Sequence, residues 1–398
     1  MRRRLFSAVL PALIVAASPL SSLAAEEAGK IRFERTELDN KFRSEGVAVA
    51  DFNGDGKLDI AAGPVWYEAP SWTMHTIVEP GKPLEYDPHG YSNSFANWAE
   101  DVNEDGRPDL LVIDFPGQQT WWFENPGQAG GPWKRHMATR VTNNESPAYI
   151  DVEGDGRKEL VCGFSPNPED VDGPLRQMAL IRRGPDAEQP WVISAISAKD
   201  APGAQRFSHG LGVGDVNKDG RNDVLVTAGW WEAPAQGVDE EWKFHAAPFG
   251  DACADMFAFD FDGDGDNDVV STSAHNIGVW WHEQTPEGWK THEIDNSLSQ
   301  THSLHLADIN QDGLPDLVTG KRWWAHGPNG DANPADPPVV HWYELSRKDG
   351  KPEWKLHVAD RQSGVGTQFA LADVNADGLL DIITANKRGV FLLQQVRE

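Results

Sequence analysis

The chain has 398 residues, 39% hydrophobic and 10% aromatic, enough to bury one large core or two ordinary ones, which excludes a disordered protein. Lys and Arg number 35 against 62 Asp and Glu, a net charge of -27, so phosphate neutralisation cannot drive binding and no nucleic-acid partner is expected. The 17 Trp, 38 Gly and 27 Pro with only 2 Cys describe a turn-rich, mostly β protein held by packing or metal rather than by disulfides.

Arg2, Arg3 and Arg4 precede an apolar stretch from Leu5 to Ala17, and Ser22-Leu23-Ala24-Ala25 places small residues before Glu26-Glu27. This layout predicts a signal peptide over residues 1–25, cleaved after Ala24 or Ala25, and hence a periplasmic or extracellular protein. The apolar run is broken by Pro11 and Pro19 and falls short of the roughly 20 residues a membrane span needs, so a retained anchor is the weaker reading. The Arg-Arg-Leu-Phe start also permits twin-arginine export, although one arginine pair in a basic segment is a weak signal for it, and the route stays open. No other stretch is long and apolar enough to predict a membrane span.

After the leader, one segment recurs: DFNGDGKLDI at Asp51, DVNEDGRPDL at Asp101, DVEGDGRKEL at Asp151, DVNKDGRNDV at Asp215, DFDGDGDNDV at Asp260, DINQDGLPDL at Asp308 and DVNADGLLDI at Asp373. The starts lie 45 to 65 residues apart, the period of four-stranded propeller blades. Short apolar runs such as Val47 to Ala50 and Leu110 to Ile113 flank the copies and predict strands one and two of a blade. A third strand carries an aromatic pair (Trp66-Tyr67, Trp121-Trp122, Trp230-Trp231, Trp280-Trp281, Trp342-Tyr343), and a fourth opens on Trp, often with His three residues later, as in Trp72 and His75. The seventh copy supplies only three strands. Ile31 to Thr36 has the fourth-strand pattern and is expected to complete that blade, closing one seven-bladed domain over residues 26–398.

Positions one, three, five and nine of the copies hold 23 carboxylates in all, and position six is always Gly. Oxygen ligands on alternate residues around a Gly turn wrap a hard cation, and the β-type flanks exclude an EF-hand. Up to seven structural Ca2+ ions are therefore expected, on Asp51, Asn53, Asp55 and Asp59; Asp101, Asn103, Asp105 and Asp109; Asp151 and Asp155; Asp215, Asn217, Asp219 and Asp223; Asp260, Asp262, Asp264 and Asp268; Asp308, Asn310, Asp312 and Asp316; and Asp373, Asn375, Asp377 and Asp381. The third copy, with Glu153 and Glu159, departs most and is expected to bind most weakly.

The Asp-x-Asn/Asp-x-Asp-Gly-x-x-Asp loop between two strands resembles the FG-GAP or VCBS type of repeat over about residues 31 to 395, which implies a seven-bladed propeller with calcium on one face. The Trp-rich blades and central His residues are also similar to the propeller domain of the aldos-2-ulose dehydratases, which implies elimination of water from a keto sugar. Those enzymes add cupin domains that this sequence does not match, so the resemblance does not extend to their isomerising step.

With calcium on one face, ligands are expected on the other. The innermost strand starts six residues before each loop, placing Glu45, Phe95, Glu145, His209, Ala254 with Asp255, His302, and Thr367 with Gln368 in the central funnel. Of 13 His, five sit in the fourth-strand repeat and His282, His305 and His341 in other strands, whereas His89, His209, His275, His302 and His326 fall on the ligand face. His209, His302, Glu145 and Asp255 are the expected catalytic groups, and two imidazoles with a carboxylate can hold one further divalent metal. The fourth and sixth blades are not neighbours, however, so His209 and His302 are expected too far apart to share an ion. Glu45, His89, His275, Arg322, Trp323 and Trp324 are the expected substrate-binding residues; the two Trp open a long insertion to Pro338, where an indole can stack on a sugar or simply anchor the insertion. Cys162 and Cys253 are expected as unpaired buried thiols.

Two readings stay open. One is a carbohydrate-active lyase that takes the proton beside a carbonyl and expels a hydroxyl or glycosyl group. The other is a noncatalytic propeller that binds glycan or protein. The oligomeric state is not legible.

Overall fold

The computed structural model describes residues 30–78, 90–127, 130–235, 241–250 and 255–397. The leader sequence, His89, Cys253 and Ala254 lie outside them. Every regular element among the described residues is a β-strand. No helix among them is long and apolar enough to cross a membrane.

The strands form propeller blades. Five antiparallel sheets have four strands each, and a sixth sheet has eight. In the sheet Ala96–Glu100, Asp109–Ile113, Gln118–Glu124 and Lys134–Thr142, the second strand is buried throughout, because its alternate side chains meet neighbouring sheets on both faces. The eight-stranded sheet joins two such meanders through a parallel contact of Leu211 and Gly212 with Asp255 and Met256. A Cβ on Gly212 would lie 2.3 Å from the Met256 carbonyl oxygen, so only glycine admits this approach.

Ile31–Asp39 pairs antiparallel with Gly389–Arg397, from Ile31 opposite Arg397 to Glu37 opposite Phe391. It is the outer strand of a sheet whose other members are Phe369–Ala372 and Asp381–Asn386. Apolar clusters fill the spaces between sheets. One of them joins Val47, Ile60 and Tyr67 near the amino end to Ile383, Val390 and Leu392 near the carboxy end.

Each repeated loop is an internally bonded turn. In six of the seven, the position-six Gly N–H donates to the first Asp, for example Gly56 to Asp51 Oδ2 at 2.8 Å. That Gly has φ between 85° and 108° in every copy, the left-handed region that explains its invariance within the chain. The ninth residue plays a different part from the first. Asp59 is buried and accepts the Phe52 N–H on Oδ2 and the Ala69 N–H on Oδ1, tying the loop to the end of the third strand. Asp109, Asp223, Asp268, Asp316 and Asp381 do the same in their blades. Burial pushes the Asp59 carboxyl up to about 6 and those of Asp109 and Asp316 to about 7.

The aromatic pairs reveal a second repeated unit. Trp66, Trp122, Trp230, Trp281 and Trp342 each lie opposite, and stacked on, the fourth-strand residue His75, His136, His245, His292 or His357, with ring centroids 4.0 to 4.4 Å apart. Each of these His places Nε2 within 2.6 to 2.9 Å of Glu68, Glu124, Glu232, Glu283 or Glu344. Strand alternation brings the Glu, two residues beyond the stacked Trp, to the same face. The unit therefore explains the repeated His as blade packing.

Candidate functional site

The starts of the innermost strands converge as the funnel position requires. Glu145 precedes Ala148–Ile150, His209 precedes Leu211–Gly214, and His302 lies in Thr301–Ala307; His275 enters from the turn before Ile277–Thr285. One ligand atom from each of these four residues lies within 4.8 Å of the other three. His209 Nε2 is 3.0 Å from Glu145 Oε2, 3.0 Å from His302 Nε2 and 3.2 Å from His275 Nε2.

This corrects the expected separation of His209 and His302. Long side chains at the narrow centre of a propeller reach across the axis, so blades that are not neighbours still meet there.

Arg322 ties the cluster together. It follows Asp316–Lys321 and is fully buried, with its guanidinium 5.7 Å from the centroid of the Phe95 ring. Nε donates to Glu45 Oε2 at 3.0 Å, and Nη1 reaches Glu145 Oε2 at 3.0 Å and His302 Nε2 at 2.9 Å. A guanidinium can only donate, so His302 Nε2 presents its lone pair. Burial, then the Arg322 charge, holds the His302 pKa well below the ordinary histidine value, despite Glu145 beside it. Burial pushes the Glu145 carboxyl up, but Arg322 and His209 outweigh it and hold that carboxyl well below the usual range. The cluster thus contains a neutral imidazole and an ionised carboxylate.

Three imidazole nitrogens and one carboxylate oxygen, mostly shielded from water, form a donor set suited to a borderline-soft divalent cation. An ion bound there would take the single lone pair that His302 Nε2 now offers to Arg322 Nη1, so Arg322 would have to give up that hydrogen bond.

The remaining expected residues are placed as follows. Glu45 links the sheet that follows its own to the last one, its N–H donating to Ser94 O ahead of Ala96–Glu100 at 2.8 Å and its carbonyl accepting the Thr367 N–H ahead of Phe369–Ala372 at 2.8 Å. Its Oε1 is buried without a hydrogen-bond partner among the described residues. Asp255 stands outside the four-residue group; its Oδ2 accepts from Ser303 Oγ at 3.0 Å and the Leu304 N–H at 2.9 Å, and burial pushes it up to about 7. Trp323 and Trp324 stack on each other at 4.4 Å, Trp324 Nε1 donating to Pro334 O at 2.7 Å and the Arg388 guanidinium lying 5.4 Å from the Trp323 ring centroid. Cys162 is a buried free thiol, pushed up to about 12.

Sequence reasoning missed Asp331. Its Oδ1 lies 3.1 Å from His275 Nδ1 and 2.9 Å from His326 Nδ1. Burial would raise this carboxyl, but the two imidazoles outweigh it and hold it below the carboxylate range. Its only sequence signal was its place in the insertion after Trp323. Of the repeated loops, Asp260, Asp262 and Asp264 bring three carboxylate oxygens within 4.8 Å of one another among the described residues.

Residues 101–162 and 260–319 match the FG-GAP-like repeat. No curated protein matches the chain. Among solved structures, the chain is similar to the Photorhabdus luminescens Tc holotoxin pore at 17% identity and a TM-score of 0.34, covering 85% of this chain but only 16% of that one. It is similar to YCF48 from Cyanidioschyzon merolae at 11% identity and a TM-score of 0.44, covering 91% and 98% of the two chains. It is also similar to the exotype rhamnogalacturonan lyase YesX at 12% identity and a TM-score of 0.43, covering 90% and 72%. The chain is an all-β propeller that carries FG-GAP-like repeats.

Proposed function

We propose that the chain is an exported, calcium-binding, seven-bladed propeller whose central cluster holds one divalent transition ion and eliminates water or a glycosyl group from a keto sugar. The observation that carries this reading is the convergence of Glu145 Oε2 with Nε2 of His209, His275 and His302 beside Arg322. Taking the eight-stranded sheet as two blades supports the count of seven, and the core shared by the two chain ends supports a closed ring. The seven acidic loops, with their bonded Gly turns, support calcium, and the leader supports export.

Glu145, His209, His275 and His302 would hold such an ion, which would supply a Lewis acid for a substrate carbonyl. Arg322 adds a fixed positive charge for the developing enolate. Glu45 Oε1, buried and without a hydrogen-bond partner among the described residues, takes the proton. The electron pair of the broken C–H bond forms the new double bond as the β carbon–oxygen bond breaks. The leaving oxygen takes the proton back from Glu45 and departs as water or a free sugar, and an unsaturated ketone remains. No oxidant is needed.

Incubation with keto sugars and their glycosides should raise ultraviolet absorbance, and His209→Ala and His302→Ala should abolish the rise without lowering the melting temperature. A rise that survives both substitutions, or none with any keto sugar, replaces this reading with the noncatalytic binding module.

A further inference from the structure

Within the four-residue cluster, His275 is the member least held by packing. Its side chain is 28% exposed, against 9% for His209 and none for His302. It also sits in a turn rather than in a strand. Something other than core packing must hold its ring edge-on to His209, at 85° with centroids 4.7 Å apart.

The insertion after Trp323 supplies that restraint. Asp331 is nearly buried, and its Oδ1 faces His275 Nδ1 at 3.1 Å, on the side of the ring away from the cluster. Asp331 is itself fixed, since Oδ2 accepts the His326 N–H at 3.1 Å. The next residue laces the insertion to the His275 turn: the Ala332 N–H donates to His275 O at 3.0 Å. Gln300 braces both, its Nε2 donating to Ala332 O at 2.8 Å and its N–H to Asn276 O at 2.9 Å. The contact lies outside hydrogen-bond geometry, but a negative charge 3.1 Å from Nδ1 favours the ring proton there, which leaves the Nε2 lone pair for a cation.

We infer that Asp331 is a positioning residue for the central metal: it sets the tautomer and ring angle of His275, and so makes the insertion over residues 323–338 a working part of the site. This rests on the proposed metal-binding reading of the cluster. Asp331 touches no reacting atom in this scheme and acts only through His275.

The test uses the mature protein, stripped of transition metal and saturated with calcium, titrated with Co(II) against a chromophoric chelator. The wild type should take up one Co(II) with a d–d spectrum of low coordination number. Asp331→Ala should bind it about 10- to 100-fold more weakly, with a shifted spectrum and an unchanged apoprotein melting temperature. Asp331→Asn, which keeps an oxygen acceptor but not the charge, should fall between. His326→Ala, which leaves Asp331 in place, should bind as the wild type does. Wild-type affinity and spectrum in Asp331→Ala overturn the inference while leaving the metal site intact. A second Co(II) that disappears in His326→Ala also overturns it, because Asp331 would then be a ligand. If the wild type binds no Co(II) that a His209→Ala/His302→Ala variant loses, the metal reading itself fails, and the inference with it.

Discussion

His209 and His302 belong to the fourth and sixth repeats, yet their Nε2 atoms lie 3.0 Å apart, each also within 3.0 Å of Glu145 Oε2. Residues 93 positions apart in the chain meet because the strand starts that carry Glu145, His209 and His302 converge. The funnel is therefore a single site to which several blades contribute one side chain each.

Arg322 balances Glu45 and Glu145 in the buried centre, so its loss leaves two desolvated carboxylates. Arg322→Met should cost about 3–5 kcal/mol in denaturant unfolding, and Arg322→Lys should recover only part of it because an ammonium lacks the planar fork. Full stability of Arg322→Met would show that the carboxylates are not held as described.

Removing residues 26–38 should cost at least about 3 kcal/mol, through lost burial of Ile31 and Phe33 and an opened edge on Gly389–Arg397. Chemical denaturation of the truncated protein reads this directly. Parental stability would mean the strand only decorates the last sheet.

The repeated acidic turns were legible in the sequence because their spacing recurs seven times, and the Trp-rich blades for the same reason. The funnel position also followed from a fixed offset to each loop, a set that includes Glu45, Glu145, His209 and His302. What spacing could not show was distance across the axis, so the two His seemed separable when they touch. Asp331 was hidden for a further reason: it lies in a nonrepeating insertion, where no other copy marks its role. The Glu of the outer stacks was legible in principle, two residues after each stacked Trp, but its meaning needed the His partner in register.

With a calcium-selective chelator, the melting temperature should fall by several degrees and recover when calcium is restored, since one ion at 100 times its Kd contributes about 2.7 kcal/mol. Differential scanning calorimetry with both additions makes the comparison. A melting temperature indifferent to calcium would reduce the repeated loops to hydrogen-bonded turns.

Burial, then the charge of His292, lowers the pKa of His282 to about 4, and its ring bonds Ser271 Oγ at 2.8 Å and Thr291 Oγ1 at 2.9 Å. The folded state therefore prefers the neutral ring. That contribution is complete above the ordinary histidine pKa of about 6.5 and is lost as pH falls toward 4. Between pH 7 and pH 4.5, His282→Gln should lose about 2–3 kcal/mol less stability than the wild type. Parallel acid limbs for the two proteins would place the protonation elsewhere.

Metal analysis of the purified, calcium-saturated protein bears most directly on the central cluster. Expected is one transition ion per chain in the wild type, absent from a His209→Ala/His302→Ala variant that keeps its calcium and its fold. A wild type without any transition ion after supplementation with zinc or cobalt, or a double variant that retains it, would contradict a metal centre built from Glu145, His209, His275 and His302.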